Sequence, residues 1–311
     1  MSSPVTIVKR KRSPFKITAW VVAGALLLAI LASCAVSIYV GWNLTHPVKE
    51  ALSESPADYG LSYEEAEFTS LEGDILLKGW YMPAADREDP MTLIIAHGYR
   101  NNREYPQVGT LDLSKRLIAK GYNVLVFDFR NSGESEGNMT SVGEFEKYDL
   151  LAAIDWVKHH HPSSIGLIGF SMGGSTALLA AAEDPDVKGV VADSPFSNLY
   201  EYLERNLPVW SDLPDFPFTP LILSLLPPIT GINPHAASPI DVLDEIYPRP
   251  VLFIHSETDD KIPYTESVRM AEQYPDRFEL WRTADAGHAD SYLLDQVEYV
   301  ERLAAFFEPL R

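Results

Sequence analysis

The sequence predicts an α/β fold in which a mostly parallel central sheet is flanked by helices. Two patterns lead to this prediction: short apolar, β-branched runs alternate with helix-like stretches, and the runs are bounded by Gly, Pro or Asp. Strands that are apolar throughout are typical of parallel sheets covered on both faces. A third observation, a long apolar stretch near the N-terminus, adds a transmembrane helix to this architecture.

The composition of the 311-residue chain is that of an ordinary globular protein, with 46% hydrophobic and 22% charged residues. Its net charge of −19 repels phosphate backbones, which excludes nucleic-acid binding as a first interpretation. The single cysteine, Cys34, rules out an internal disulfide bond and a zinc site built from clustered cysteines. Composition therefore favours an acidic globular protein with no nucleic-acid partner.

The charge is distributed unevenly along the chain. Residues 1–16 contain no acidic residue and five basic ones, namely Lys9, Arg10, Lys11, Arg12 and Lys16. Residues 17–42 are largely apolar and long enough to span a hydrocarbon core, with Trp20 near one end and Trp42 near the other. Because basic flanks stay on the cytoplasmic side, we expect 1–16 to be a cytoplasmic head and 17–42 a single-pass signal anchor. The rest of the chain then lies on the extracytoplasmic side of the cell membrane.

Two other interpretations of the apolar segment remain open. A cleaved signal peptide usually has a shorter apolar core than this one. A lipoprotein signal is suggested by Leu31-Ala32-Ser33-Cys34, which resembles a bacterial lipobox, although the hydrophobic run continues beyond it to Val40. Whether Cys34 is lipidated stays open, and all three interpretations place the body of the protein outside the cytoplasm.

The order of the elements follows from the apolar pattern. Residues 43–62 mix Pro, Ser and charged residues without periodicity and are interpreted as a linker before a single domain at 63–311. A hairpin with its turn at 71–74 opens the domain, and the predicted strands are 63–70, 75–82, 92–96, 123–127, 165–169, 187–192, 251–254 and 278–283. The predicted helices are 112–120, 144–160, 172–183, 265–274 and a closing helix at 291–307.

One segment interrupts the alternation of strands and helices. Residues 195–239 contain nine prolines and many large apolar side chains, among them Trp210. Such a stretch is too long for a simple connection. We therefore interpret residues 195–240, approximately, as an inserted lid of short helices and turns.

The most informative motif is Gly169-Phe170-Ser171-Met172-Gly173, which follows an apolar strand and opens an Ala-rich helix. Glycines permit the cramped strand-to-helix turn that raises a serine hydroxyl above the edge of a sheet. The N-terminus of the following helix favours negative charge at the same place. This context predicts that Ser171 is a catalytic nucleophile.

A nucleophilic serine of this kind is followed along the chain first by an acid and then by a histidine. Three histidines follow Ser171, and only His288 also follows a suitable acid at the end of a strand. That acid is Asp259, in the loop after the strand at 251–254. We therefore expect His288 to be the general base and Asp259 to orient it. Asp260 and Asp193 remain alternatives for the acid.

An oxyanion hole is expected beside the serine. One donor should be the backbone N–H of Met172, directly after the nucleophile, and the second should come from the loop after an earlier strand. That loop is His97-Gly98-Tyr99-Arg100, which makes the N–H of Tyr99 the second donor. His97 precedes the serine and is expected to be a structural hydrogen-bonding residue.

These motifs together resemble the α/β-hydrolase superfamily over roughly residues 63–311. The matching positions are His97-Gly98, the loop Asp128-Phe129-Arg130-Asn131-Ser132-Gly133-Glu134-Ser135-Glu136-Gly137, the turn Gly169–Gly173, Asp259 and His288. The loop is similar to that of the serine aminopeptidase-like and prolyl-oligopeptidase-like branches, many of whose members have Gly at the position of Asn131. With its anchor, the chain looks like the membrane-anchored bacterial hydrolases. The resemblance implies an α/β-hydrolase fold and hydrolysis at a carbonyl through an acyl-enzyme, without a cofactor.

The run His159-His160-His161 suggests a metal site, but it ends a predicted helix just before Pro162. Adjacent residues on a helix point in different directions, which is poor geometry for ligands of one ion. A positive charge also suits the C-terminus of a helix. We therefore predict no metal site.

These observations predict a membrane-anchored serine hydrolase that cleaves carboxylic esters. The apolar lid indicates a small-molecule ester or an acyl substrate, including a lipid-like one. A peptidase or amidase of the same fold is the second hypothesis, and a non-catalytic binding module is the third. The sequence leaves the oligomeric state open.

Overall fold

The computed structural model describes residues 14–73, 75–85 and 89–311. Its strands are β1 (Glu64–Thr69), β2 (Leu76–Met82), β3 (Met91–Ala96), β4 (Asn123–Phe127), β5 (Ser164–Phe170), β6 (Val187–Asp193), β7 (Val251–Ser256) and β8 (Phe278–Thr283). They form one sheet in the order β1-β2-β4-β3-β5-β6-β7-β8. β2 is antiparallel to both β1 and β4, and the other neighbours are parallel. The predicted mostly parallel sheet is confirmed.

The helices connect the strands and cover both faces of the sheet. They are α1 (Pro14–Thr45), α2 (Thr110–Ala119), α3 (Glu146–His160), α4 (Met172–Glu183), α5 (Leu199–Ser211), α6 (Asp215–Leu225), α7 (Pro227–Thr230), α8 (Leu243–Ile246), α9 (Thr265–Ala271), α10 (Ser291–Leu294) and α11 (Gln296–Phe307). α3, α4, α8 and α9 contribute apolar side chains to the core on one face of the sheet, and α2 and α11 to the core on the other.

Burial of the central strands explains why they are apolar along their whole length. Every residue of β3 and of β7 is buried, as expected for strands covered on both faces. Fully burying one Leu, Ile or Phe side chain stabilises the fold by about 1.5–3 kcal/mol. The sheet is therefore a rigid base for the loops at its carboxyl edge.

The N-terminal helix α1 stands apart from these two cores. From Phe15 to Thr45 it is long and apolar enough to cross a membrane, with a mean hydropathy of 2.6 over its most apolar part. It extends beyond the predicted span 17–42 at both ends, and most of its side chains are exposed. Of the predicted basic head at residues 1–16, the cluster Lys9–Arg12 lies outside the described residues.

The segment after α1 differs from a free linker. Residues 47–54 lie along the body of the protein and are held by hydrogen bonds to it. Asn131 Nδ2 donates to the carbonyl of Pro47 at 3.2 Å, and the backbone N–H groups of Ser53 and Glu54 donate to the carboxylate of Glu104 at 2.5 and 2.7 Å. We call residues 47–54 the strap. Because polar contacts hold it, the strap has no hydrophobic periodicity, and its sequence pattern is typical of a linker.

The insertion at residues 195–240 folds as short helices and turns between β6 and β7. It consists of α5, α6 and α7, followed by 3₁₀ turns at Pro234–Ala236 and Pro239–Val242. Within α6, Phe216 has non-helical dihedral angles and kinks the first turn. We call residues 195–240 the lid segment below.

The predicted closing helix at 291–307 is two helices, α10 and α11. Asp295 between them is extended, with φ −148° and ψ 92°. Its side chain accepts hydrogen bonds from the N–H groups of Val297 and Glu298 at 3.1 and 2.9 Å. Asp295 therefore caps the N-terminus of α11 and ends the preceding helix.

Candidate active site

Ser171 lies on the sharp turn between β5 and α4. Its φ of 53° and ψ of −120° fall outside the conformations that non-glycine residues usually adopt. Its N–H donates to the carbonyl of Asp193 at 2.8 Å, which fixes the turn to the neighbouring strand. The residue is only 5% exposed, and its hydroxyl faces the pocket described below.

Two glycines allow this turn because the backbone is too crowded for a side chain. A Cβ on Gly169 would lie 2.2 Å from the carbonyl oxygen of Gly173, and a Cβ on Gly173 would lie 2.2 Å from that of Ala96. The start of α4 is thus pressed against the end of β3. The same contact brings the loop after β3 next to Ser171.

His288 joins Ser171 to Asp259. Its Nε2 lies 2.9 Å from Ser171 Oγ, and its Nδ1 lies 2.8 Å from Asp259 Oδ2. The three residues come from the loops after β5, β7 and β8, whose carboxyl ends meet at one edge of the sheet. The structure therefore brings together the three side chains that the sequence pattern selected.

Asp259 is fully buried and held by several donors. The N–H groups of Lys261 and Ile262 donate to Oδ1 at 2.9 Å each, and His255 Nε2 lies 3.2 Å from Oδ2. Burial alone would raise the pKa of this carboxyl, but the hydrogen bonds from His255 and His288 outweigh it and hold the pKa below its usual range. Asp259 is therefore ionised over the physiological pH range.

Sequence reasoning missed the role of His255. The side chain is fully buried at the end of β7, where Nδ1 pairs with Ser267 Oγ at 2.7 Å and Nε2 lies 2.9 Å from the carbonyl of Ile262. These contacts fix its ring beside Asp259. The available hint was a histidine in an otherwise apolar strand, four residues before the acid.

The two alternative acids occupy other environments. Asp193 is buried, and its carboxylate accepts hydrogen bonds from Tyr299 OH at 2.9 Å and from Ser194 Oγ at 3.1 Å. Burial raises its pKa to about 6. The side chain of Asp260 is 75% exposed and lies 3.9 Å from Lys261 Nζ. Neither makes the contact to His288 that Asp259 makes.

Ser194 and Ser256 support the loop of His288, and sequence reasoning did not identify them. Ala289 N–H donates to Ser194 Oγ at 3.1 Å, and Ala286 N–H donates to Ser256 Oγ at 3.2 Å. Ser194 directly follows β6, and Ser256 is the last residue of β7. They hold the backbone on either side of His288 in place.

The two amides predicted to form an oxyanion hole flank Ser171. Met172 is the first residue of α4, so its N–H has no carbonyl partner inside the helix. Tyr99 follows β3 in the loop that packs against Gly173, and Tyr99, Ser171 and Met172 line one pocket. The positive end of the α4 dipole lies at the same place. Binding of an oxyanion by these amides stays a prediction.

His97 fixes the loop that carries Tyr99. Its Nε2 accepts a hydrogen bond from Phe129 N–H at 3.1 Å, so its Nδ1 carries the proton and donates to the carbonyl of Gly98 at 2.7 Å. Burial lowers the pKa of His97 to about 4, which keeps the ring neutral. The residue is a structural hydrogen-bonding group, as expected.

The loop at residues 128–137, which matched the family motif, also supports the site without entering it. The Asp128 carboxylate accepts hydrogen bonds from Arg103 N–H at 2.7 Å and Glu134 N–H at 2.9 Å. Arg130 donates to Asp149 in a buried ion pair at 2.7 Å. The loop therefore ties the segment after β3 to β4 and α3.

An apolar pocket opens beside Ser171. Its cavity volume is about 110 Å³, and apolar side chains form nearly all of its lining. Tyr99 and Trp210 meet edge to face in its lining at 5.7 Å. Trp210 Nε1 donates to Tyr202 OH at 2.6 Å, which in turn donates to the carbonyl of Lys261 at 3.0 Å. This chain of hydrogen bonds joins the lid segment to the loop of Asp259.

The histidine run at the end of α3 makes three separate contacts. The Nδ1 atoms of His159 and His160 lie 2.7 and 2.9 Å from the carbonyls one turn earlier, and His161 contacts Glu64. Among the residues that the structure describes, no group of three or more His, Cys, Asp or Glu side chains is arranged to hold a metal ion.

Comparison with known proteins decides the family. Residues 72–219 match the family model of the X-Pro dipeptidyl-peptidases (S15 family). The uncharacterized protein YqkD of Bacillus subtilis is 31% identical over 297 residues, which cover 92% of this chain and 95% of YqkD. The Pyrococcus furiosus esterase Pf2001 is 29% identical, with a TM-score of 0.70 over 85% of this chain and 99% of the esterase.

The chain belongs to the α/β-hydrolase superfamily.

A further structural neighbour of this hydrolase is a peptidase. The acylaminoacyl peptidase of Pyrococcus horikoshii has a TM-score of 0.61 over 80% of this chain and 42% of the peptidase, at 19% identity, and shares the fold. The resemblance inferred from the motifs is confirmed, including its relation to a serine-peptidase-like branch. The structures similar to this α/β-hydrolase therefore include both an esterase and a peptidase.

Proposed function

We propose that this α/β-hydrolase is a membrane-anchored serine esterase that acts on carboxylic esters through an acyl-enzyme. The observation that carries the proposal is the arrangement of His288, which lies within hydrogen-bond distance of both Ser171 Oγ and Asp259 Oδ2. Nucleophile, base and orienting acid in this geometry are the elements of a Ser-His-Asp triad.

The chemistry follows from these contacts. Ser171 Oγ attacks the ester carbonyl carbon while His288 Nε2 takes the hydroxyl proton, and the negative charge on the carbonyl oxygen is stabilised by the N–H groups of Tyr99 and Met172. When the tetrahedral intermediate collapses, His288 gives the proton to the leaving alcohol. Water then attacks the acyl-enzyme by the same route and releases the acid. Asp259 stabilises the imidazolium at each step.

The pocket lining supports an ester over a peptide. Among the described residues that line it, none is Asp or Glu. A peptidase that recognises a free amino-terminus needs a carboxylate near the scissile bond to pair with the ammonium group. An apolar acyl group needs no such partner.

A second candidate, a peptidase or amidase, is favoured by the match to the S15 family model. It uses the same three residues but requires protonation of an amine leaving group. A non-catalytic binding module is the third candidate, and the intact mutual contacts of Ser171, His288 and Asp259 argue against it.

The anchor is part of the proposal. α1 supplies one helix of sufficient length and apolarity, and the basic residues before it favour an extracytoplasmic catalytic domain. The intact mass of the membrane-bound protein distinguishes the alternatives, because a lipoprotein would begin at Cys34 and carry acyl groups. We expect the uncleaved mass.

The experiment compares 4-nitrophenyl butyrate with the matched butyryl 4-nitroanilide and an X-Pro 4-nitroanilide, for the full-length protein and Ser171→Ala. We expect hydrolysis of the ester, little or no release of nitroaniline, and loss of activity in the variant. Faster cleavage of either anilide would establish the peptidase or amidase. An inactive wild type on all three substrates would favour the binding module.

A further inference from the structure

The C-terminal end of α1 reaches the pocket beside Ser171. Gly41, Leu44 and Thr45 of α1 line the same pocket as Ser171 and Met172. Val40 and Leu44 also pack against a buried cluster in the lid segment formed by Leu207, Ile222 and Leu226. The wall of the pocket is therefore built partly from the helix that is apolar enough to cross a membrane.

Small residues on one face of α1 make this contact. Ser37 and Gly41, one helical turn apart, are buried, whereas Tyr39 and Trp42 are exposed. A Cβ on Gly41 would lie 2.2 Å from Leu226 Cδ2, so a larger residue at this position would require the Leu226 side chain to move. Small residues one turn apart are typical of close helix packing inside membranes.

The end of α1 is also fixed to the catalytic body. Tyr99 OH donates to the carbonyl of Leu44 at 2.5 Å, and Thr140 N–H donates to the carbonyl of Thr45 at 2.8 Å. These bonds satisfy carbonyls that a helix leaves unpaired at its C-terminus. Tyr99 is also the residue whose N–H faces the proposed oxyanion. The position of the helix end is thus coupled to the position of the reaction centre.

The depth of the pocket in a membrane follows from the length of α1. At 1.5 Å per residue, Trp20 and Trp42 are separated by about 33 Å along the helix axis, which matches a hydrocarbon core of about 30 Å. Trp42 then lies at the membrane interface, where tryptophan is favoured. Gly41 and the pocket beside it lie at the same level.

The exposed surface of the lid segment next to α1 is apolar as well. Residues 216–231 contain no charged side chain. Phe216, on the helix α6 that packs against α1, is 81% exposed, and Ile229, on the adjoining α7, is 48% exposed. Such side chains fit the acyl region of a bilayer better than water.

We propose that the pocket binds the acyl chain of an ester that resides in the same bilayer as α1, and that the last turns of α1 form the part of the wall that contacts this chain. The inference rests on the proposed esterase and names its substrate class. The ester carbonyl reaches Ser171 from the membrane side, between α1 and the lid segment. Gly41 and Leu226 then decide how bulky an acyl chain the pocket accepts.

The first test uses full-length protein in phosphatidylcholine vesicles with 4-methylumbelliferyl butyrate and oleate, and each rate is normalised to the fraction of protein labelled by a fluorophosphonate. Gly41→Leu fills the wall, so the oleate-to-butyrate ratio of kcat/KM should fall by about tenfold or more. Gly24→Leu is the matched control, because a Cβ on Gly24 has no neighbour within 4 Å. It should leave the ratio unchanged.

A second variant keeps the test valid should Gly41→Leu fold poorly. Leu226→Ala removes volume from the same wall, so the oleate-to-butyrate ratio of kcat/KM should rise. A ratio equal to that of the wild type in both variants would overturn the proposal.

The source of the substrate is tested by placing the oleate ester either in the vesicles that hold the enzyme or in separate vesicles. We expect faster hydrolysis, on the order of tenfold or more, when enzyme and ester share a bilayer, because their effective concentration is then higher. Equal rates would contradict delivery from the bilayer. If the wild type cleaves the butyrate ester, but neither the variants change the chain-length ratio nor a shared bilayer speeds hydrolysis, this inference is overturned and the proposed esterase activity stands. If the wild type is not labelled and cleaves neither ester, the proposed esterase activity itself is overturned.

Discussion

The Nε2 atom of His255 lies 3.2 Å from Oδ2 of Asp259. This is the same carboxylate oxygen that faces His288 Nδ1, so Asp259 is held between two imidazole rings. His255 does not face the pocket, and its contacts fix the direction in which Asp259 points. We therefore regard it as a positioning residue.

Replacing His255 should lower turnover more than substrate binding. His255→Phe keeps a ring of similar size but removes the donor to Asp259, and a misplacement of about 1 Å can cost on the order of 10²-fold in rate. We expect kcat for ester hydrolysis to fall by about that factor with little change in KM, and His255→Gln to restore part of it. His159→Ala, at an exposed helix end, is the control and should behave like the wild type. A His255→Phe enzyme with normal kcat would show that Asp259 needs no such support.

Asp259 and Asp260 provide a pair of adjacent variants. Asp259→Asn should leave His288 in the wrong tautomer and lower kcat on the order of 10⁴-fold. Asp260→Asn changes an exposed side chain that does not contact His288, so its kcat should match the wild type. Steady-state kinetics on 4-nitrophenyl butyrate measures both. The reverse result would assign the acid to Asp260.

His97 should make the folded state sensitive to acid. Burial lowers its pKa to about 4, below the usual value of about 6.5 that applies to the unfolded chain. The unfolded chain therefore binds a proton between pH 6.5 and 4 that the folded protein does not. The contribution to the free energy of unfolding is complete above pH 6.5 and is lost as the pH falls towards 4, by about 3 kcal/mol in all.

Urea unfolding at several pH values checks this prediction. His97→Gln keeps an oxygen that can accept the hydrogen bond from Phe129 N–H and does not titrate. The difference in unfolding free energy between wild type and His97→Gln should therefore decrease from pH 7 to pH 4. A constant difference for His97→Gln would mean that the ring is protonated in the folded protein at little cost.

The buried ion pair between Arg130 and Asp149 should contribute strongly to stability. Arg130 also donates to Ser70 Oγ at 3.0 Å, and the side chains of the pair are 6% and 0% exposed. Arg130→Met leaves a buried carboxylate without its partner and should lower the free energy of unfolding by about 3–5 kcal/mol. The double variant with Asp149→Leu should lose less than the sum of the two single losses.

An exposed ion pair on α11 is the control for this comparison of single and double variants. Arg302 and Glu298 lie one turn apart at 2.7 Å, with both side chains 47% exposed. Such a pair contributes about 0.3–0.5 kcal/mol, so Arg302→Met should have a small effect. Similar losses for Arg130→Met and Arg302→Met would show that burial does not govern the strength of these pairs.

Much of the fold was predictable because the central strands are apolar and short. Each strand predicted from its apolar run begins and ends within two residues of the observed one. The grouping of Ser171, Asp259 and His288 was predictable for a related reason, since loops after parallel strands meet at one edge of the sheet. The local apolar pattern was sufficient to predict the strands, and the sheet topology was sufficient to predict the grouping of the three residues.

The features that the sequence did not predict depend on contacts between distant parts of the chain. The strap at residues 47–54 is held by side chains from 104 and 131, which leave no periodicity in the strap itself. His255 contacts the carboxylate of Asp259, whose position is set only by the folded loop. The packing of Gly41 on Leu226 joins residues separated by most of the chain. A single glycine in an apolar helix gives no indication of such a partner.

Covalent labelling tests most directly whether Ser171 is an activated nucleophile. A fluorophosphonate probe is added to four purified full-length proteins: the wild type, Ser171→Ala, His288→Ala and Ser224→Ala. Peptide mass spectrometry then locates the adduct. Ser224 is an exposed serine whose hydroxyl donates to the carbonyl of Pro220. We predict one adduct on Ser171 in the wild type and in Ser224→Ala, none in Ser171→Ala, and strongly slowed labelling in His288→Ala. Unchanged labelling in Ser171→Ala, or no labelling of the wild type, would contradict the account.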